Sequence, residues 1–196
     1  MRWMLLAGVF FAIVGTGTAQ TAGAWLWGST GRGTARWTQE GAGLAYRGGA
    51  TFGWAVLRGI SIRDGSVAVR FKPVEGREDR AGGVVWRWQD ANNYYVARGN
   101  ALEDNVVAYK VVGGRRTDLT PLGAPRGIYG MKVPVAAGTW HTLQVDFSGS
   151  DSAVTFDGRR LFVVRDETFT MAGAVGVWSK ADSVTEFARP QHGEKS

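Results

Sequence analysis

The sequence predicts an all-β fold in which antiparallel strands form a sandwich or barrel. Three observations predict it. Apolar residues recur at period two, the pattern of half-buried strands. Turn dipeptides rich in Gly and Asp interrupt that pattern. The resulting segments recur about every 8–12 residues, the spacing of all-β domains.

In chain order, strands are expected over 36–40, 43–47 and 54–60. Val67, Val69 and Phe71 alternate with Ala68, Arg70 and Lys72, which predicts a strand over 65–73 after the Asp64-Gly65 turn. Val84, Trp86 and Trp88 alternate with Val85, Arg87 and Gln89 in 82–89. Strands over 93–98, 105–112 and 115–119 follow, the last two joined at Gly113-Gly114. Leu143, Val145 and Phe147 alternate with Thr142, Gln144 and Asp146 in 140–147, before Gly149-Ser150. Asp157-Gly158 lies between Val154/Phe156 and Leu161/Val163, a hairpin signal joining 152–157 to 160–165. Strands over 173–179 and 183–187 complete the set. No segment beyond the N-terminus sustains helical periodicity. One domain over 25–190 is expected, and 191–196 reads as a frayed tail.

The 196 residues suffice for one domain with a real core. Residues 1–19 read as a signal peptide. Arg2 is the positive region, and Met4 to Val14 is an apolar run too short to span a bilayer. Gly17-Thr18-Ala19 supplies the cleavage site, with Ala22-Gly23-Ala24 as a second option. No other segment can cross a membrane as a helix, so stable membrane insertion is not expected. The expected location is a bacterial periplasm or the cell exterior. There is no cysteine, which excludes disulfides and thiolate chemistry. The net charge of +6 is scattered and has no Lys/Arg run, which argues against a nucleic-acid partner. Nine Trp in a chain with 29 Gly fit a turn-rich core, and also fit stacking on sugars.

The segment YYVARGNALEDNVVAYKV, residues 94–111, concentrates polar chemistry at a turn. Asn100 and Glu103 have capping-box spacing. They either satisfy backbone groups locally or line a site. If Val84 and Trp86 face the core, Arg87 and Gln89 point outward. If Val106 and Ala108 face inward, Asn105 and Tyr109 share the opposite face. Trp178 and Lys180 share a face, and Asp182 continues that spacing. Flat rings beside Arg, Asn, Asp and Lys are what sugar recognition needs. The candidate ligand-binding residues are therefore Arg87, Arg98, Asn100, Glu103, Asn105, Tyr109, Trp178, Lys180 and Asp182, with an oligosaccharide or polysaccharide as partner. Arg98, Asn100, Glu103 and Asn105 are expected to meet Lys180 and Asp182 at one rim. Trp86 and Trp88 are expected in the core.

The stretches GGVVWRWQDANNYYVARGNALEDNVVAYKVVGGRRTDL, GTWHTLQVDF and VTFDGRRLFVVRDETFTMAGAVGVWSKADSV, with Tyr129-Gly130, carry a resemblance. They are similar to bacterial exported proteins of the 3-keto-disaccharide hydrolase domain family, which have concanavalin-A-like, LamG-like jelly rolls. The match runs from Asp64 to Phe187. Its most specific elements are Arg98-x-Asn100-Ala101-Leu102-Glu103-x-Asn105 and Trp178-x-Lys180-Ala181-Asp182-Ser183-Val184. The resemblance implies a two-sheet antiparallel jelly roll of the concanavalin A-like lectin/glucanase type with a concave face. Related sequences continue Phe-Asp-Asp where this one reads Phe187-Ala188-Arg189, so an aspartate that would support a structural calcium ion is missing.

Catalytic chemistry is hard to find. The E-x-D-x-x-E strand by which β-glucanases of this fold resemble one another does not occur. Glu75 to Asp79 and Asp166-Glu167 have the right residue types but read as solvated loops. Of two histidines, His141 reads as a strand-edge residue and His192 falls in the tail. No metal-binding spacing occurs. Asp90, Asn92 and Asn93 offer oxygen ligands for calcium, but Asp-x-Asn-Asn lacks a full ligand set and fits an Asx-rich turn better. No catalytic residue, metal site or cofactor is expected, apart from that calcium option. The leading expectation is a carbohydrate-binding domain without its own catalytic carboxylate pair. The alternatives are a 3-keto-disaccharide hydrolase-type enzyme, using Glu103, Asp182 or His141, and a cell-envelope protein-interaction domain.

Overall fold

A computed structural model describes residues 24–195; the signal peptide expected over 1–19 lies outside them. The described residues contain strands and turns and no helix. In chain order the strands are β1 (Trp25–Gly33), β2 (Trp37–Glu40), β3 (Gly43–Arg47), β4 (Ala50–Leu57), β5 (Gly65–Glu75), β6 (Ala81–Asp90), β7 (Asn93–Asn100) and β8 (Asn105–Val112). They continue with β9 (Arg115–Asp118), β10 (Met131–Lys132), β11 (His141–Ser148), β12 (Asp151–Phe156), β13 (Arg159–Arg165), β14 (Ala174–Ala181), β15 (Val184–Phe187) and β16 (Gln191–Glu194).

They form two antiparallel sheets. Sheet A has the order β1-β4-β14-β6-β7-β8-β10, with β9 also paired to β8. Sheet B has the order β13-β12-β11-β5-β15-β3-β2, with β16 also paired to β5. Turn chemistry sets several registers. Asp157 and Gly158 both adopt positive φ (46° and 78°), as do Gly113 and Gly114 (55° and 79°). Two successive positive φ values make the tight hairpin turn whose twist matches the flanking strands.

The main core lies between the sheets. Val67, Val69, Phe71, Leu143, Val145 and Phe147 of sheet B meet Val84, Trp86, Ala97, Ala108, Val175 and Val177 of sheet A. Sheet A also buries its other face. Phe52, Trp54, Val85, Tyr94, Val96, Val107, Tyr109 and Trp178 form a second apolar cluster there. Trp86 is fully buried in the main core, as expected. Trp88 instead joins the outer cluster, with its ring centroid 4.9 Å from that of Trp54.

Several expectations are corrected. The segment 191–196 is not simply a frayed tail, because Gln191–Glu194 pairs antiparallel with β5. β1 and β10 were not anticipated. β1 (WLWGSTGRG) lacks alternation and is held at the edge of sheet A by backbone pairing with β4. Its Gly28 lies against Trp54, where an added Cβ would come 2.6 Å from the indole.

Candidate functional site

The β7–β8 hairpin places its polar residues on the outer face of sheet A, away from the main core. Arg98 pairs across the ladder with Val107, and Asn100 with Asn105. The loop between them is a series of turns. Asn100 Oδ1 accepts from the Leu102 N–H at 3.0 Å, an Asx turn, and from the Arg80 N–H at 3.3 Å. No capping box forms: Glu103 turns its carboxylate to side chains instead.

Arg98 is the centre of the network and is fully buried. Its Nη1 donates to Asn105 Oδ1. Its Nη2 donates to Glu103 Oε2 at 2.8 Å and to the Tyr109 and Tyr129 hydroxyls at 3.1 Å each. The two hydroxyls also bond each other. Asn105 Nδ2 donates to Glu103 Oε2 at 3.0 Å. Asn100 Nδ2 donates both to Glu103 Oε1 at 2.9 Å and to Asp79 Oδ1 at 2.8 Å. Asp79 in turn holds Lys180 Nζ at 2.7 Å. Arg98, Asn100, Glu103, Asn105, Tyr109 and Lys180 are thus joined through hydrogen bonds and ion pairs.

Electrostatics follow from that geometry. Burial opposes charge on Arg98, but Tyr109, Glu103 and Tyr129 outweigh it and hold its pKa above the ordinary value. Burial also acts against the Glu103 carboxylate; Arg98, the Asn105 amide and Lys180 outweigh that and lower its pKa. Burial raises the pKa of Tyr109 and keeps its hydroxyl neutral.

The remaining candidates divide. Trp178 lies on the same outer face, buried, with its centroid 5.4 Å from that of Phe52. Asp182 does not join the network. After Ala181, which has φ 50°, the chain turns, and Asp182 accepts the backbone N–H groups of Arg77, Glu78 and Asp79 at 2.7–3.1 Å. Desolvation acts against its charge, but those amides prevail and lower its pKa. It positions the loop that carries Asp79. Arg87 is a correction. A bulge in β6 gives it φ 47° and keeps it on the inner side with Trp86. There it lies 5.5 Å over Phe147 and donates to the Arg63 and Phe169 carbonyls at 2.9 and 2.8 Å.

Sequence reasoning missed four residues of this face. Asp79, read as part of a solvated loop, is 4% exposed and links Asn100 to Lys180. The Tyr129-Gly130 pair is the only sequence signal for Tyr129, whose hydroxyl accepts from Arg98. Arg116 lies 4.3 Å over Tyr109, 5.1 Å over Phe52 and 6.0 Å over Trp178. Phe52 and Arg116 had no local signal at all. Asp166 is a further correction: far from being a solvated loop residue, it accepts from the Tyr95 hydroxyl and Lys110 Nζ at 2.7 Å.

The other chemistry is structural. His141 is held between Asp157 (2.7 Å from Nδ1) and the Ala136 carbonyl (3.0 Å from Nε2) on sheet B. Asp90 Oδ1 accepts from the Asn92 N–H at 2.7 Å, and both Asp90 oxygens from Asn93 Nδ2 at 2.9 Å, closing an Asx turn.

A cleft of about 740 Å³ opens beside the network, with Phe52, Arg116, Lys180 and Asp182 in its wall. A second depression, about 590 Å³, lies on sheet B beside β16, lined by Ser66, Asp146, Asp151 and Arg160. Its one aromatic ring, Phe147, is itself buried, so it offers no ring for stacking.

Architecture and strand order define an all-β jelly-roll sandwich of the kind found in glucanases and lectins. The solved structures it resembles agree. A carbohydrate-binding module, CBM66, from Bacillus subtilis aligns over 86% of this chain and 94% of its own at 20% identity, with a TM-score of 0.69. A β-glucanase from Bacillus licheniformis aligns over 91% and 95% at 13% identity, TM-score 0.57. A Bacillus subtilis protein of unknown function with a galectin-like fold aligns over 87% and 90% at 8% identity, TM-score 0.57. No protein-family model and no curated protein matches the chain.

Proposed function

We propose that the chain is an exported carbohydrate-binding domain, taking an oligosaccharide or polysaccharide on the outer face of sheet A, without a catalytic carboxylate pair of its own. The observation that carries this reading is the joining of an arginine-rich cleft, with Phe52 in its wall, to an Arg98-centred network through Lys180 and the Arg116–Tyr109 stack. The arginine and lysine side chains of the cleft supply hydrogen-bond donors, and a preordered network supplies them at low entropic cost. The carbohydrate-binding module among the similar structures supports it by fold. Export rests on residues 1–19, and a bacterial periplasm or exterior is the corresponding location.

The runner-up is a glycoside-processing enzyme of the 3-keto-disaccharide hydrolase type, and one observation favours it. Asp79 and Glu103 share the Asn100 amide nitrogen, and retaining glycosidases need two carboxyl groups about 5–5.5 Å apart. Against it, each carboxylate is paired with a cation, and Glu103 and Asp182 have lowered pKa values. A general acid working near neutrality needs the opposite shift.

A glycan array probed with the mature chain tests the leading reading. Binding that Tyr129→Ala abolishes and Arg70→Ala leaves intact supports it. Binding to no glycan, with capture of an envelope protein on the same face, replaces it with the interaction-domain reading. Release of reducing sugar from 3-keto glycosides, lost in Glu103→Gln, replaces it with the enzyme.

A further inference from the structure

The cleft beside the network has more cations than acids to match them. Arg32, Arg36, Arg47, Arg116 and Lys180 line it, against Glu78 and Asp182. Two of the cations are already paired, Lys180 with Asp79 and Arg47 with Glu40. Asp182 is occupied by three backbone N–H groups. Arg32, Arg36 and Arg116 form no ion pair among the described residues.

Two of these three are held in place. Arg36 Nε donates to the Arg47 carbonyl at 2.9 Å, which anchors the guanidinium beside Gly48 and Gly49. Arg116 lies over Tyr109 and Phe52, 4.3 and 5.1 Å from the ring centroids; its Nη1 is buried without a hydrogen-bond partner, which leaves Nε and Nη2 as the donors that can meet a ligand. The Nε and Nη2 groups of a guanidinium form a fork that can meet a carboxylate or sulfate with two parallel bonds.

A neutral sugar hydroxyl donates as well as accepts. The acceptors near this cleft, Glu103, Asp79 and Asp182, are already taken by protein donors. Glu78 is the one carboxylate of the cleft wall without an ion-pair or hydrogen-bond partner among the described residues, against three unpaired arginines, so donors remain in excess.

We infer that the ligand of this cleft is an anionic saccharide, one bearing carboxylate or sulfate groups, with Arg116 as the central fork and Arg36 and Arg32 beside it. The inference rests on the carbohydrate reading above. The cleft has the volume of a small-ligand site, and three arginines without ion-pair partners line it.

The test titrates the full chain with oligogalacturonate, a sulfated galactan oligosaccharide, and their methyl-esterified and desulfated counterparts. The expected result is at least about a tenfold preference for one anionic form over its neutral counterpart, weakening with salt. The stronger of the two arms identifies carboxylate or sulfate. Arg116→Gln should lose about tenfold in affinity and Arg32→Gln about threefold. Because Arg116 packs on rings, Arg36→Gln is the second variant; unchanged affinity in both Arg36→Gln and Arg32→Gln overturns the inference. Equal affinity for the neutral forms overturns it and leaves the carbohydrate reading standing. Equal affinity for polyglutamate or single-stranded DNA also overturns it, since charge alone would then suffice. Absence of binding to any saccharide overturns both.

Discussion

On the outer face of sheet B, Ala68, Arg70 and Lys72 of β5 lie beside Thr142, Gln144 and Asp146 of β11; Arg70 is exposed and the others are half-buried. On the outer face of sheet A, Phe52, Trp54, Tyr94, Tyr109 and Trp178 are buried, and so is the Arg98 guanidinium. Both sheets share one core, so each needs only one apolar face to fold. The second apolar face of sheet A therefore asks for another explanation. Burying Arg98 there is tolerable only because Glu103, Asn105, Tyr109 and Tyr129 satisfy it. The solvated face makes no such demand: Lys72 pairs with Glu186 at 2.6 Å, and Arg70 lies over the half-exposed Trp140 ring at 5.2 Å. This contrast between an ordered, buried polar network on one face and more open polar residues on the other is why the proposed site is placed on sheet A.

The strongest break of this comparison is Trp178→Ala. If the outer face of sheet A is a second core, it should cost about 4 kcal/mol, read as a shift in urea midpoint at constant slope. A cost below about 1 kcal/mol would make that face an ordinary surface.

Arg98→Ala comes next. It leaves Glu103 and Asn105 without their central donor and should cost about 3 kcal/mol in the same measurement. Glycan binding measured well below the melting temperature separates two roles. Binding retained in the folded variant means that the network only pins the loop.

Acid unfolding sharpens the contrast between the two ends of sheet A. Burial opposes the Asp166 charge, but the Lys110, Thr168 and Tyr95 donors prevail and bring its pKa down from 3.8 to about 2. A carboxylate with a lowered folded-state pKa stabilises the fold fully above its unfolded value. That contribution is lost as pH falls from about 4 toward 2. Asp166→Asn should flatten this limb by about 1 kcal/mol, a figure reduced for solvent screening. Glu103→Gln should flatten it in the window below 4.5, the ordinary value from which Glu103 is lowered. Stability curves between pH 2 and 7 check both, and parallel curves for wild type and variants would contradict the pairing.

The smallest effect belongs to sheet B. Arg70→Ala should change stability by no more than about 0.5 kcal/mol and leave glycan binding alone. A larger loss would mean that the Trp140 face has a role of its own.

The sequence by itself determined the class of fold and most strands. β5 and β11 alternate strictly, and Asp157-Gly158 demands positive φ, so both are local signals. It also placed Arg98, Asn100, Glu103 and Asn105 together, because a hairpin of adjacent strands keeps its own ends close. Lys180 was assigned to the same rim on resemblance and spacing. Other features needed the tertiary structure. β6, β7 and β8 are apolar on both faces, so periodicity cannot say which face is inner. The β6 bulge that sends Arg87 inward breaks pairing with both neighbours, β7 and β14, and has no mark of its own in the sequence. Asp79 and Tyr129 gain their roles from residues distant in sequence, and Arg116 from Phe52 and Trp178 as well as its hairpin neighbour Tyr109. Whether a polar side chain is solvated or buried and paired depends on partners that only packing brings within reach.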